Sequence, residues 1–266
     1  MRQRILVDSG GEYRGFFSSV NLTLLTVLYC SRNDIDPIIG NSVLSLYRDN
    51  YRTERPFSRF FGQVYDGHVK KSSETLEISE IYNNNLLSFY DTSTVEELRK
   101  LNNTWLLTLT PTLRAFIDKS PGASGLKCDV SIHYRGTDYL KNTPAYHKPN
   151  LSPQEFVTSV GEWVRGRSVF VATDDITFIG LIVATGIEVV YFDDVYRRGP
   201  GLGSHVRSKW QRLGLPALYS QEKKGFEVFR DCWWLSRSDL YIGSNSNLMY
   251  YSGLLNSAQI RKNVNV

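Results

Sequence analysis

Three cysteines in 266 residues are too few and too widely spaced for a disulfide framework. Cys30, Cys128 and Cys232 lie in apolar settings, and no CxxC pair or Cys/His cluster accompanies them, so a zinc site is not supported either. Buried free thiols in a reducing compartment account for them. Long hydrophobic runs are also missing. None reaches membrane-spanning length, and Asp8 interrupts the apolar Ile5-Leu6-Val7 before a signal-peptide core could form. The reading is a soluble cytoplasmic protein with no membrane span. Charge of one sign is not in excess: 31 basic and 27 acidic residues leave a net +4, without the basic stripe of a nucleic-acid polymer binder. Three common site motifs are absent. Without GxxxxGK[ST], GxGxxG after the first strand, or GxSxG, the P-loop NTPases, dinucleotide oxidoreductases and α/β-hydrolases are disfavoured. No internal repeat, coiled coil or low-complexity tract occurs.

What is present is an ordinary globular composition, 41% hydrophobic and 22% charged. Its 13% aromatic content fits sugar-, base- or protein-contacting surfaces without choosing among them. The length suits two modest domains. The best linker is Ser120-Pro121-Gly122-Ala123-Ser124-Gly125, which sets the domains at 1–120 and 121–266.

The first domain opens as strand, tight turn and helix: Ile5-Leu6-Val7, then Gly10-Gly11, then an apolar-periodic segment from Phe16 to Leu28. Gly10 and Gly11 would let backbone approach a ligand closely, and the helix start would offer N–H groups to an anion. An ordinary βα turn has the same appearance. Ile38-Ile39 and Val43-Leu44 read as strands or as strand plus turn, and the aromatics from Tyr47 to Tyr65 read as core. Thr94 with Glu97 has capping-box spacing, and Pro111 suits a first helical position. Asn21-Leu22-Thr23 and Asn102-Asn103-Thr104 match the glycosylation acceptor pattern, a match common by chance.

The second domain alternates short apolar strands with helices. Strands are expected at 128–133, 168–173, 188–192 and 239–243. Helices are expected from Ser152-Pro153, over about 175–185 and 224–236, and after Ser244-Asn245-Ser246-Asn247. That alternation means a parallel, doubly wound sheet. Polar residues recur just past the strand ends: His133 with Arg135, Thr173 with Asp174 and Asp175, Asp193 with Asp194, and Ser244 to Asn247. In a parallel sheet these clusters converge on one rim, where ligands bind. Ser244, Ser246 and Asn247 at a helix start make an anion seat as well as a cap. Arg135 offers a fork of donors suited to phosphate, or an ion pair to Asp138. The basic loop from Arg197 to Arg212 fits a phosphate-bearing small ligand, or is a solvated loop.

The segment Ile132-His133-Tyr134-Arg135-Gly136-Thr137-Asp138 resembles the H-x-R-x-x-D motif of the fucosyltransferase superfamily, which includes α1,2-, α1,6- and protein-O-fucosyltransferases and bacterial nodulation relatives. Phe170-Val171-Ala172-Thr173-Asp174-Asp175 resembles its second motif. Residues 224–236 followed by Asp239 to Asn247 resemble its third. The three stand in the right order over about residues 128–250. Large algal viruses encode compact transferases of this kind.

The resemblance implies an α/β fold with two Rossmann-like domains facing across a cleft (GT-B type), 1–120 on the acceptor side and 121–266 binding the nucleotide sugar. It implies an inverting glycosyltransferase that needs no metal, with GDP-fucose as donor and a glycan as acceptor. Arg135 would contact the donor diphosphate, His133 and Asp231 the base, and Ser244, Ser246 and Asn247 phosphate or ribose. Gly10, Gly11 and Thr173 complete the expected donor contacts. Where core-fucosylating relatives carry a Glu as candidate base, this chain has residues near Thr143. Asp138, then Asp8, then Glu12 are the substitutes, and Asp138 has a second reading as a brace for Arg135. Asp174-Asp175 and Asp193-Asp194 keep a metal open. Two rival readings stand: the same scaffold using a UDP-sugar such as UDP-xylose, and a catalytically inactive nucleotide- or glycan-binding protein.

Overall fold

A computed structural model describes residues 4–8, 15–40, 43–44, 47, 56–62, 74–77, 92–119, 127–136, 151–197, 220–244 and 246–264. The chain divides into two compact units, Met1–Phe116 with Pro216–Phe226, and Ile117–Leu215 with Glu227–Val266. The expected linker at 120–125 and the asparagine turn at 83–85 lie outside the described residues.

The first unit holds a parallel three-stranded sheet in the order β2-β1-β3, from β1 (Arg4–Asp8), β2 (Asp36–Ile39) and β3 (Glu74–Glu77). Helix α1 (Phe16–Arg32) is apolar on nearly every side and is accordingly buried along most of its length. Its two inward threonines satisfy their hydroxyls locally: Thr23 donates to the Ser19 carbonyl and Thr26 to that of Leu22, both at 2.8 Å. The helix stops at Asn33, and Asp34 turns the chain with a φ of 55°, which aspartate tolerates better than most residues.

Of the aromatics expected to be core, Tyr47, Phe57, Phe60 and Phe61 are core, and Tyr51 and Tyr65 lie outside the described residues. Phe16 packs edge-on against Phe17, Tyr47 and Phe60, and Phe57 and Phe61 pack on Trp105. Helix α2 (Ser58–Phe61) supplies part of this cluster. Helix α3 (Thr92–Leu107) begins two residues before Thr94, so Thr94 is not its cap. Thr94 is buried in the first turn, where its hydroxyl accepts from Arg32, whose Nε also reaches Glu97. Helix α4 (Pro111–Ile117) does start at its proline. Asn102 is fully buried, so its side chain is no glycan acceptor.

The second unit is a parallel five-stranded sheet in the order β6-β5-β4-β7-β8. Its strands are β4 (Val130–Tyr134), β5 (Val169–Thr173), β6 (Val189–Val190), β7 (Leu240–Gly243) and β8 (Ile260–Asn263). Alternation divides the faces. Val130, Ile132, Tyr134, Val169, Val171 and Ile242 pack against α5 (Pro153–Val164) and α6 (Ile176–Ala184). Phe170, Ala172 and Tyr241 pack on the other side against α7 (Gln221–Leu235) and α8 (Asn247–Leu255). Ser152 caps α5 in a full capping box with Glu155, as the sequence predicts. The strand expected at 188–192 pairs only at Val189 and Val190, as β6 at one edge of the sheet. Helix α7 starts three residues earlier than its apolar pattern suggests, and β8 is an addition to the sequence reading.

The buried polar groups of this unit are tied together. Ser131 Oγ donates to the Leu235 carbonyl, Ser238 Oγ to Ser131 Oγ at 2.7 Å, and Gln259 Nε2 to the carbonyls of Leu235 and Ser238. Ser252 closes the knot on Gln259 Oε1. It lies at the strands' entry side, opposite the polar rim.

Candidate functional site

The strand order places a topological switch point between β4 and β7. From β4 the chain winds through α5 to β5 and α6 to β6, then crosses to the far side of β4 to form β7 and β8. Parallel sheets of this kind bind ligands at such a point, beyond the strands' carboxyl ends. His133 is in register with Gly243, so Arg135 and Ser244 leave adjacent strands on the two sides of the switch. Tyr134 is in register with Thr173, which brings the Asp174-Asp175 loop alongside on the other flank.

His133 is buried at the end of β4, its ring 6.5 Å from that of Tyr241, and its Nδ1 has no hydrogen-bond partner among the described residues. Burial, with the nearby Arg135 charge second, holds its pKa down at about 3, so the imidazole is neutral. Arg135 itself is half-buried just beyond the strand. Asp231 is buried on α7, one turn before Leu235, in the helix that covers the His133 face. Burial pushes its carboxyl up to about 7; Arg197 and Arg230 pull it down, and Glu227 and Asp194 add to the rise.

Those charged neighbours form a cluster that runs from buried Glu227 and Arg230 through half-buried Arg197 to exposed Asp194. Arg230 is 1% exposed, forks both terminal nitrogens onto the Asp194 carboxylate, and stacks on Phe192 with its guanidinium carbon 3.7 Å from the ring centroid. Glu227 accepts the Tyr196 N–H at 3.2 Å, and Arg197 donates to the Phe192 carbonyl at 2.6 Å. The segment after β6 is thereby fastened to α7. The basic loop expected beyond it, from 198, lies outside the described residues.

Ser246 caps α8 by accepting the Met249 N–H at 3.2 Å, and Asn247 opens the helix on the surface. Ser244 is buried at the end of β7. Thr173 does not join His133: strand alternation puts it on the opposite face, where its hydroxyl accepts the Asp175 N–H at 3.1 Å. Asp175 caps α6, its Oδ1 accepting from the Thr177 N–H and hydroxyl, and Asp174 Oδ1 accepts the Gly136 N–H at 3.1 Å. Both carboxylates thus serve as loop fasteners. Among the described residues no group of three or more His, Cys, Asp or Glu could hold a metal ion.

Gly10, Gly11, Glu12 and Asp138 lie outside the described residues, and Asp8 closes β1. At the start of α1 the first N–H, that of Phe16, is donated to the Tyr47 hydroxyl at 2.9 Å. Gly136 is a site residue that pattern reading passed over. A Cβ there would lie 2.5 Å from Tyr134 Cε1 and 2.8 Å from Asp175 Oδ2, so only glycine fits. Its signal was a glycine at the head of a βα loop, directly after Arg135.

No protein-family model matches this chain, and no curated protein matches it. Solved structures do. The fucosyltransferase NodZ from Bradyrhizobium is similar with a TM-score of 0.51 at 13% identity, covering 96% of this chain and 94% of NodZ. NodZ alpha-1,6-fucosyltransferase soaked with GDP-fucose gives 0.50 at 13% identity, and the form co-crystallized with GDP gives 0.50 at 12%, each covering 96% of this chain and 93% of the other. At that identity the likeness is one of fold: this chain has the α/β fold, with parallel sheets, of those fucosyltransferases. No helix among the described residues is long and apolar enough to cross a membrane.

Proposed function

We propose that the protein is an inverting, metal-independent glycosyltransferase that moves L-fucose from GDP-fucose to a glycan acceptor. The observation that carries this reading is the switch point between β4 and β7, with Arg135 on one side and the Ser244–Asn247 helix start on the other. A permanent cation and a helix N-terminus, set on adjacent strand ends, suit the two phosphates of a nucleoside diphosphate. The fold shared with NodZ, which has been soaked with GDP-fucose and co-crystallized with GDP, supports the choice of sugar and base. Asp231 adds to it. Above about pH 7, where it is ionised, its carboxylate accepts two hydrogen bonds, matching the adjacent N–H donors on the guanine edge, whereas uracil offers one N–H between two carbonyls.

In the reaction the acceptor hydroxyl oxygen attacks the anomeric carbon from the face opposite the diphosphate. The bond from that carbon to the phosphate oxygen breaks, and inversion results. Asp138 takes the hydroxyl proton. Arg135, with Ser244, Ser246 and the α8 N–H groups, stabilises the charge gathering on the departing diphosphate, so the role often given to a metal falls to these donors. His133 and Asp231 hold the base, while Gly10 and Gly11 let backbone approach the donor. Thr173 acts by shaping the Asp174-Asp175 loop. Residues 121–266 take the donor and residues 1–120 shape the acceptor site. A cytoplasmic setting suits the three buried free thiols.

Calorimetry with GDP and UDP, followed by a transfer and donor-hydrolysis assay with GDP-fucose and UDP-xylose in EDTA, tests the reading. Tight GDP binding and EDTA-resistant fucose transfer are expected. Preference for UDP overturns the donor, and binding without turnover of any donor overturns the enzyme.

A further inference from the structure

We propose that Asp174 is the positioning residue of this site: it latches the turn after β4 to the end of β5 and so fixes where Arg135 emerges. The inference rests on the donor reading above, in which Arg135 meets the diphosphate.

The latch is built from both loops. Tyr134 and Thr173 are the last paired residues of β4 and β5. One residue beyond Thr173, Asp174 Oδ1 accepts the N–H of Gly136, two residues beyond Tyr134. Arg135 therefore sits between two fixed points, the β4 ladder before it and the Asp174 bond after it. The other walls of the slot are rigid. Tyr134 is stacked on Phe178 at 4.3 Å, and its hydroxyl donates to the Leu151 carbonyl at 3.1 Å. Asp175 is fully buried and held by Thr177. Gly136 fills the space between that ring and that carboxylate with no room for a Cβ.

Loops after strands are ordinarily the mobile part of a sheet's rim. Here a charge-assisted bond to backbone removes that freedom at the residue next to the cation. A bidentate guanidinium needs its placement held to a fraction of an ångström, and the latch supplies the constraint.

The experiment is GDP calorimetry on wild type, Arg135→Ala, Asp174→Ala, Asp174→Asn, Gly136→Ala and the Arg135→Ala/Asp174→Ala double variant, with thermal melts on each. Asp174→Ala is expected to lose about tenfold in GDP affinity. Asp174→Asn, which keeps the Oδ1 acceptor, stays within about threefold of wild type, and the double variant binds no worse than Arg135→Ala alone. Gly136→Ala, which forces the same turn from the other side, shows the same loss and carries the test if Asp174→Ala does not fold. Wild-type affinity in Asp174→Ala or in Gly136→Ala, a loss in Asp174→Asn equal to that in Asp174→Ala, or additive losses in the double variant would each overturn the latch. Wild-type GDP affinity in Arg135→Ala would instead overturn the donor reading.

Discussion

His133 and Gly243 face each other across the β4–β7 pairing so closely that a Cβ on Gly243 would lie 2.8 Å from the His133 carbonyl oxygen. The same Cβ would lie 2.9 Å from the Tyr241 ring. Backbone on one side and a buried ring on the other leave nothing that can yield cheaply. Gly243→Ala is expected to destabilise the protein by about 1–3 kcal/mol, read as a lower denaturant midpoint at unchanged slope. An unchanged midpoint would contradict the packing.

Arg135 provides the second prediction. Arg135→Ala should lower GDP affinity by about 10- to 100-fold, the worth of charge-assisted hydrogen bonds to phosphate, without lowering the melting temperature. Arg135→Lys restores charge but not the fork, so recovery is partial. Full recovery with lysine would mean that the site needs only a point charge.

The two perturbed titrations make a third, with opposite signs. Asp231 is raised from 3.8 to about 7, so its contribution is complete below pH 3.8 and is lost as pH rises through 7. His133 is lowered from 6.5 to about 3; above pH 6.5 its contribution is complete, and it is lost as pH falls toward 3. From about pH 4 to 6.5 the native state holds a proton on Asp231 that the unfolded chain lacks, and lacks one on His133 that the unfolded chain holds, so slopes of about 1.4 kcal/mol per pH unit cancel. Relative to wild type, Asp231→Asn should gain stability as pH rises across that window, and His133→Gln should lose it. Urea titrations at three pH values check both. Parallel pH profiles for the three proteins would refute the assignment.

Ser246 and Ser152 separate capping from binding. Each caps a helix through its hydroxyl, so Ser246→Ala and Ser152→Ala should each cost about 1 kcal/mol in stability. Only Ser246→Ala should also weaken GDP binding, because α8 starts directly after β7 on the His133 face of the sheet, while α5 packs on the opposite face. Equal affinity in both variants would reduce Ser246 to a cap.

Much of the second unit could be read from the sequence because its strands are buried on both faces. Apolar runs such as Val169-Phe170-Val171-Ala172 announce themselves, and the Ser152-Pro153 start has its own chemistry. Less legible were the edges. Ile260, Arg261 and Lys262 are exposed in succession, so no alternation marks β8. Glu188 to Phe192 has strand propensity, yet only the residues with a neighbour pair. Thr94 looked like a cap because spacing says nothing of Arg32, which comes to it from another helix. The rim residues were found as types but not as roles. Asp174 and Asp175 are adjacent in sequence and point to different tasks, one to a backbone N–H of another loop and one to its own helix, and that division is decided by tertiary register.

The position of β4 also governs the order in which the chain can acquire its form. Val130 pairs with Val169 on one side and with Leu240 on the other, about 110 residues downstream. During synthesis β4 and β5 can join early, but the other edge of β4 stays unsatisfied until β7 has been made. The edge left waiting belongs to the strand that carries His133. Its nascent form is therefore a sticky two- or three-stranded ribbon, and yield on expression should respond to chaperone supply and to slower growth at low temperature.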